Sequence, residues 1–157
     1  MSDRNPRLII WLTASIALVL TVLPLPSWLA IARPNFLVIS VLYWSIMIPR
    51  GGGLLLGFAG GVALDVLQGT LLGEHALALA FVTYLAIRLH LLVRAKPLFE
   101  QSLFVFAALM VYEFLLWVID GWSGHPLSIP TRWVHTLTGG LIWPVVVGLL
   151  GRFHSTR

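Results

Sequence analysis

The composition of this 157-residue chain is that of a protein whose mass lies within a lipid bilayer. Hydrophobic residues make up 59% of it and charged residues 10%, and its mean hydropathy is +0.94. A soluble domain carries about 25% charged residues, so this chain has neither an ordinary solvated surface nor room for a soluble catalytic domain. The net charge of +4 does not indicate nucleic-acid binding, because the cations flank apolar segments. The absence of cysteine excludes disulfides, thiolate catalysis and cysteine-based metal sites.

Six apolar stretches follow one another along the chain and are separated by proline, glycine or charged residues. A membrane-spanning helix needs about 20 residues, so six of them with short turns use nearly the whole chain. The sequence therefore predicts one all-α, polytopic integral-membrane domain over residues 1–157, with about six transmembrane helices. The predicted helices cover approximately residues 8–23, 34–48, 54–69, 76–93, 102–119 and 133–150.

The orientation follows from the unequal distribution of Lys and Arg. The side that holds both termini carries seven of these residues in its loops and tails, and Arg88 extends towards it, whereas the opposite side carries Arg33 and Arg132. Cytoplasmic loops carry an excess of Lys and Arg, so we predict an inner-membrane protein with both termini in the cytoplasm. The alternative of a cleavable signal peptide ending near residues 30–32 is disfavoured, because the first apolar run is long for that role.

The second apolar stretch is short for a membrane span. Residues 35–48 extend ~21 Å as a helix, against a hydrocarbon thickness of ~30 Å. The second and third helices are either short spans in a thinned bilayer or a re-entrant hairpin shielded by the other helices. We favour spans, because a hairpin leaves Arg50 at mid-depth. Pro34 is expected at the first helical position of this stretch.

The third stretch carries a pattern with a four-residue period. Small residues and one acid occupy every fourth position, namely Gly53, Gly57, Gly61, Asp65, Gly69 and Gly73. On a helix these positions form one slowly winding stripe, and glycine in such a stripe lets a second helix approach closely. The stripe therefore predicts helix packing, either with another helix of this chain or with a helix of a partner.

Asp65 is an acid within an apolar stretch, where a charged side chain costs about 2.5–3.5 kcal/mol on insertion scales. Three interpretations stay open for it. The residue is a polar anchor between helices, a proton or ion site, or a helix-end aspartate that accepts hydrogen bonds from Gln68, Thr70 or free amides.

Glu113 is the second intramembrane acid, and we expect it to form an interhelical hydrogen bond. Arg33, Arg132 and His135 are its candidate partners. The histidines show no paired spacing with carboxylates that indicates a metal site, and neither an HExxH nor a GxSxG motif is present. The sequence predicts no catalytic, cofactor-binding or metal-binding residue, and we do not expect the chain to be an enzyme.

Several short motifs occur in a fixed order along the chain, namely Arg33-Pro34-Asn35, Leu42-Tyr43-Trp44, Pro49, the run from Gly57 to Gly73, and Gly140-Leu141-Ile142-Trp143-Pro144. In this order and spacing they resemble the MreD family of rod shape-determining proteins. Each motif alone is weak, but the resemblance extends over essentially the whole chain. The turn at residues 51–53 is more glycine-rich than the family pattern.

The resemblance implies a non-enzymatic membrane subunit of the elongasome, the machinery that synthesises lateral-wall peptidoglycan in rod-shaped bacteria. It implies direct binding to MreC, a bitopic protein with one membrane helix, through transmembrane helices. MreB, RodA and a class B penicillin-binding protein complete the wider complex, and membrane lipid surrounds it. The family is also similar in topology to the substrate-binding subunits of energy-coupling-factor transporters, which implies their six-helix arrangement without their ligand. No cofactor is expected.

From the stripe and the resemblance together, we expect Gly57, Gly61 and Asp65 to line a contact with MreC. Arg33 and Tyr43 are expected to support the outer and inner ends of the second helix. The remaining members of the predicted packing or partner surface are Gly53, Gly69, Pro34 and Asn35.

The alternative function is a small-molecule-binding subunit of a transporter. That interpretation requires polar groups to converge on a cavity within the bundle. A lipid-handling scaffold is a third possibility. The candidate polar residues for a cavity are Asp65, Gln68, Thr83, Tyr84, Glu113 and His135.

Overall fold

The computed structural model describes residues 5–124 and 131–154, and these residues form seven α-helices and no strand. Three of the helices are long and apolar enough to cross a membrane, over Glu74–Arg94, Leu98–Ser123 and Arg132–Phe153. The helices are α1 (Pro6–Val22), α2 (Ser27–Ala30), α3 (Phe36–Met47), α4 (Gly53–Gln68), α5 (Glu74–Arg94), α6 (Leu98–Ser123) and α7 (Thr131–His154).

The helix boundaries differ from the predicted ones mainly at the last two helices. Helix α6 begins four residues before the predicted residue 102 and ends four residues after residue 119, and α7 is extended at both ends as well. The length of the apolar run underestimates the length of these helices, because each helix continues into polar residues at its ends. The single-turn helix α2 was not predicted, since four residues between Pro26 and Arg33 give no readable periodicity.

The expected role of Pro34 at the start of the second helix is wrong. Asn35 is the N-cap, and its side-chain oxygen accepts a hydrogen bond from the backbone N–H of Val38 at 3.3 Å. Asparagine is a favoured residue at this position because its side chain satisfies an amide that lacks an intrahelical partner. Helix α3 therefore begins at Phe36 and has 12 residues, which corresponds to a length of ~18 Å.

Helix α3 lies at the centre of the bundle. Its residues 37–46 are all buried, as expected of a helix that is hydrophobic on every side. Helices α1, α4, α5, α6 and α7 all contact it. Around α3, α1 packs on α4, α4 on α5, α5 on α6 and α6 on α7, whereas α7 and α1 hardly touch each other within the described ranges. The five helices thus form a ring around α3 that is open between its first and last members.

Aromatic side chains fix α3 against its neighbours. Tyr43 is buried, and its ring contacts that of Trp44 edge-to-face at 5.1 Å and that of Trp143 on α7 at 6.1 Å. The indole N–H of Trp44 donates a hydrogen bond of 2.9 Å to the hydroxyl of Thr13 on α1. Tyr43 therefore supports the packing of α3 inside the chain.

Helices α4 and α5 form the most extensive helix pair, because glycines on α4 remove side-chain bulk from their contact. A Cβ atom added at Gly57 would lie 2.3 Å from the hydroxyl oxygen of Thr83, and one added at Gly61 would lie 2.3 Å from the Cα of Ala76. Both glycines are buried. They allow the close backbone approach that small residues give at membrane helix interfaces.

The other glycines of the stripe are turn residues. Gly69 ends α4 with φ +67°, Gly73 precedes α5 with φ +104°, and Gly53 opens α4 with φ +54°. These values lie in the left-handed region, which glycine adopts without steric penalty. The four-residue pattern therefore extends beyond α4. Only its middle residues, Gly57, Gly61 and Asp65, form one face of that helix.

We expect Gly61→Ala to lower the free energy of unfolding by about 1–3 kcal/mol, the usual effect of overpacking, because its methyl group meets the backbone of α5. Gly60→Ala is the matched control, since its Cβ would lie 3.4 Å from a side-chain carbon of Leu37, an ordinary contact. Thermal unfolding of both variants in the same detergent measures the difference. Equal stability of the two variants would contradict the close approach of α4 and α5.

Candidate functional site

The carboxylate of Asp65, on the last turn of α4, binds the N-terminus of α5. Its Oδ2 accepts a hydrogen bond from the backbone N–H of Gly73 at 2.8 Å and another from Ala76 at 3.4 Å. Its Oδ1 accepts one from the backbone N–H of His75 at 2.9 Å. The first amides of a helix have no intrahelical partner, and a negative charge there is favoured by the helix dipole. Asp65 therefore caps α5 from a neighbouring helix.

Two side chains complete the environment of Asp65. The Nδ1 of His75 lies 2.8 Å from Oδ1, and the hydroxyl of Thr70 donates to the same oxygen at 3.1 Å. The residue is 1% exposed. Five donors surround a group with about four lone-pair positions, so the carboxylate has no free oxygen for a transported ion. Of the three interpretations of Asp65, the geometry combines two: it is a helix-end aspartate with Thr70 and free amides as its partners, and it is a polar anchor between α4 and α5.

The second acid, Glu113, pairs with Arg132. The Nε of Arg132 lies 2.8 Å from Oε2 of Glu113, and its Nη1 lies 2.5 Å from Oδ2 of Asp120. All three side chains are largely buried, and they connect α6 to the start of α7. Of the three candidate partners for Glu113, the structure selects Arg132. His135 instead lies 2.6 Å from the carbonyl oxygen of Arg33 through its Nδ1.

The two groups form one polar cluster where α4, α5, α6 and α7 meet. The carboxyl of Glu74, the first residue of α5, is buried and faces that of Asp120. The ring of Tyr112 lies 6.3 Å from that of His75. Buried charges are tolerated when they are paired and hydrogen-bonded. The polar cluster is defined by Asp65, Thr70, Glu74, His75, Tyr112, Glu113, Asp120 and Arg132.

Arg33 joins the end of α1 to the bundle. Its guanidinium donates to the carbonyl oxygen of Leu23, the C-cap residue of α1, at 2.5 Å. It also donates to the carbonyl oxygen of Leu20, which lies in the last turn of α1, where carbonyls have no intrahelical partner. Its own carbonyl oxygen is the partner of His135. Pro34 is buried next to it, and Asn35 begins α3. This segment therefore holds three helices together.

Helix α5 packs against the residues that were expected to contact a helix of MreC. Gly57, Gly61 and Asp65 are all buried, and each faces α5. Tyr43 is likewise enclosed by its own chain. The physical reason is that a small-residue stripe favours close approach without specifying which helix approaches. A partner that binds the folded chain must therefore contact other residues.

The polar residues considered for a ligand cavity do not line a common cavity in the described part of the chain, although Asp65 and Glu113 both belong to the polar cluster. Thr83 is buried beneath Gly57, Tyr84 is exposed on the outside of α5 with Arg88, and Gln68 is exposed at the end of α4. No group of three or more His, Asp or Glu residues suited to a metal ion occurs among the described residues.

A groove of about 700 Å³ lies in the open side of the helix ring, between α1, α3 and α7. It is lined by one face of α1 from Asn5 to Leu20, by Phe36, Ile39 and Ser40 of α3, and by the end of α7. Sequence reasoning missed this α1–α7 groove. Its lining is as apolar as a lipid-facing surface, so the sequence does not distinguish residues that line the groove from residues that face lipid.

We expect Asp65→Ala to lower the free energy of unfolding by about 2–4 kcal/mol, because it leaves several buried donors of α5 unsatisfied. Glu100→Ala is the control, since Glu100 forms an exposed pair with Lys96 at 2.9 Å and such pairs contribute little. Thermal unfolding in detergent measures both. An Asp65→Ala variant as stable as Glu100→Ala would contradict the capping role.

Comparison with known proteins places the whole bundle in one family. The family model described as rod shape-determining protein MreD matches residues 2–153. The chain is 30% identical over 141 residues to the rod shape-determining protein MreD of Haemophilus influenzae, and the alignment covers 86% of this chain and 83% of that protein. No solved structure gives a significant match. The chain is thus an integral membrane protein that belongs to the MreD family of rod shape-determining proteins.

Proposed function

We propose that the chain is a non-enzymatic subunit of the elongasome, which supports lateral-wall peptidoglycan synthesis and rod shape by binding MreC in the membrane. The observation that carries this proposal is the family match over residues 2–153, nearly the whole chain. The described residues are almost all helix and carry no separate soluble part. Binding through helices is the kind of activity that such a chain supports best.

We further propose that α1 and α3 to α7 are six transmembrane helices in the bacterial inner membrane, with both termini in the cytoplasm and α3 as a short span. The excess of Lys and Arg on the side of the termini supports this orientation. Helix α3 is shorter than the hydrocarbon layer, but five neighbours enclose it, so its ends need not reach lipid headgroups. In this topology the polar cluster lies towards the periplasmic side.

In this role the chain links MreC to MreB, RodA and the class B penicillin-binding protein of the wider complex. The glycines of α4 and the carboxylate of Asp65 act within the chain by holding α4 and α5 together. Arg33 and Asn35 fix the ends of α1 and α3. We propose that these residues preserve the surface that a partner binds rather than form it.

Two measurements in a rod-shaped host test the proposed function. We expect loss of the gene to convert rods into spheres, and the wild-type chain to restore rods. Native mass spectrometry of the chain purified from its own membrane is expected to show a stoichiometric complex with MreC. A retained small molecule without MreC would contradict the proposal and favour a transporter subunit.

A further inference from the structure

The α1–α7 groove has the position of a missing helix. Six cylinders of equal width fit around a central one, and packed helices lie 8–10 Å apart in such arrangements. Around α3, five of these positions are filled by α1, α4, α5, α6 and α7, and the ring is open only between α7 and α1 within the described ranges. The groove lies at that opening.

We propose that a single transmembrane helix of another chain fills this sixth position. The inference rests on the proposed function for the identity of that chain, which we take to be the bitopic partner. It adds the place at which the partner binds.

The length and the spacing of the lining residues fit a helix. The lining of α1 begins at Asn5 and ends at Leu20, a distance of ~22 Å along the axis, most of the ~30 Å hydrocarbon layer. One face of α1 carries four large apolar side chains that are 45–65% exposed, namely Leu8, Leu12, Ile16 and Leu20. Residues four positions apart form the face that one helix presents to another along its length.

The groove leaves part of α3 uncovered by its own chain, since Phe36 and Ser40 line it. The hydroxyl oxygen of Ser40 is enclosed and has no hydrogen-bond partner within the described residues, as is the case for the hydroxyls of Thr83, Tyr112 and Thr136 outside the groove. This hydroxyl therefore does not select the occupant. The choice of a helix rests on the sixth position around α3 and on the length of the groove.

A partner with one membrane helix fits the groove better than a second copy of this chain. Each helix of the ring already contacts its neighbours and α3, so a second copy has no isolated helix to insert. The parts of this chain outside the described ranges, residues 1–4, 125–130 and 155–157, are each too short for a span. A bitopic protein presents a lone helix that α1, α3 and α7 can contact together.

Blocking the groove tests the inference. We expect Ile16→Trp to reduce co-purification of MreC at least tenfold, because its larger ring occupies the space of the partner helix. Val19→Trp is the matched control, since Val19 is on the same helix, is similarly exposed and does not line the groove. Equal thermal stability of the two variants shows that the fold is intact. Equal co-purification would overturn the inference.

A cross-linking experiment gives an independent readout that does not require a disruptive variant. A photoreactive amino acid at Ile16 or Leu149 is expected to cross-link to the membrane helix of MreC, whereas one at Val19 or Leu141, outside the groove, is not. Cross-links from the groove to phospholipid alone, or to a second copy of this chain, would overturn the inference.

The two proposals fail in different ways. If the wild-type chain co-purifies MreC but cross-links to it only from Val19 or Leu141, the groove is not its binding site and the proposed function stands. If the wild-type chain co-purifies no MreC, the proposed function fails and the groove inference fails with it.

Discussion

The bundle depends on the constraint that a helix of 12 residues is shorter than the hydrocarbon layer of a bilayer. Helix α3 is ~18 Å long and is apolar on every side, so its own chain must enclose it. Five helices around α3 enclose it, and three further features support this packing. The glycines of α4 bring α5 close, Asn35 begins α3 and Arg33 holds α1 beside it.

Polar groups in this chain are concentrated where helices end. A helix end within the membrane has amides or carbonyls that find no water. Asp65 satisfies the start of α5, and Arg33 satisfies the end of α1. Arg132 ties α6 to α7 through two carboxylates. The intramembrane charges thus connect helix ends, and their position is explained without transport chemistry.

The sequence predicted the all-α class and the family because both depend on long patterns, namely apolar stretches and motifs in a fixed order. The sequence predicted that the glycines of α4 pack closely against a helix, but it did not identify that helix as α5. A small-residue stripe allows any helix to approach closely. The pairing of Glu113 with Arg132 was one of three options, because distances between helices are not encoded in local spacing. Asn35 as the N-cap was missed because Pro34 carries an equally valid start signal.

The α1–α7 groove was beyond sequence reasoning, since partner-facing and lipid-facing side chains are chemically alike in a membrane. The groove is defined by the arrangement of five helices around α3, which leaves the space between α1 and α7 open. Cryo-electron microscopy of the chain purified together with MreC tests this central claim most directly. We expect density for one helix of MreC between α1 and α7, along the lining of the groove. A helix of MreC bound to any other face, with lipid in the groove, would contradict it.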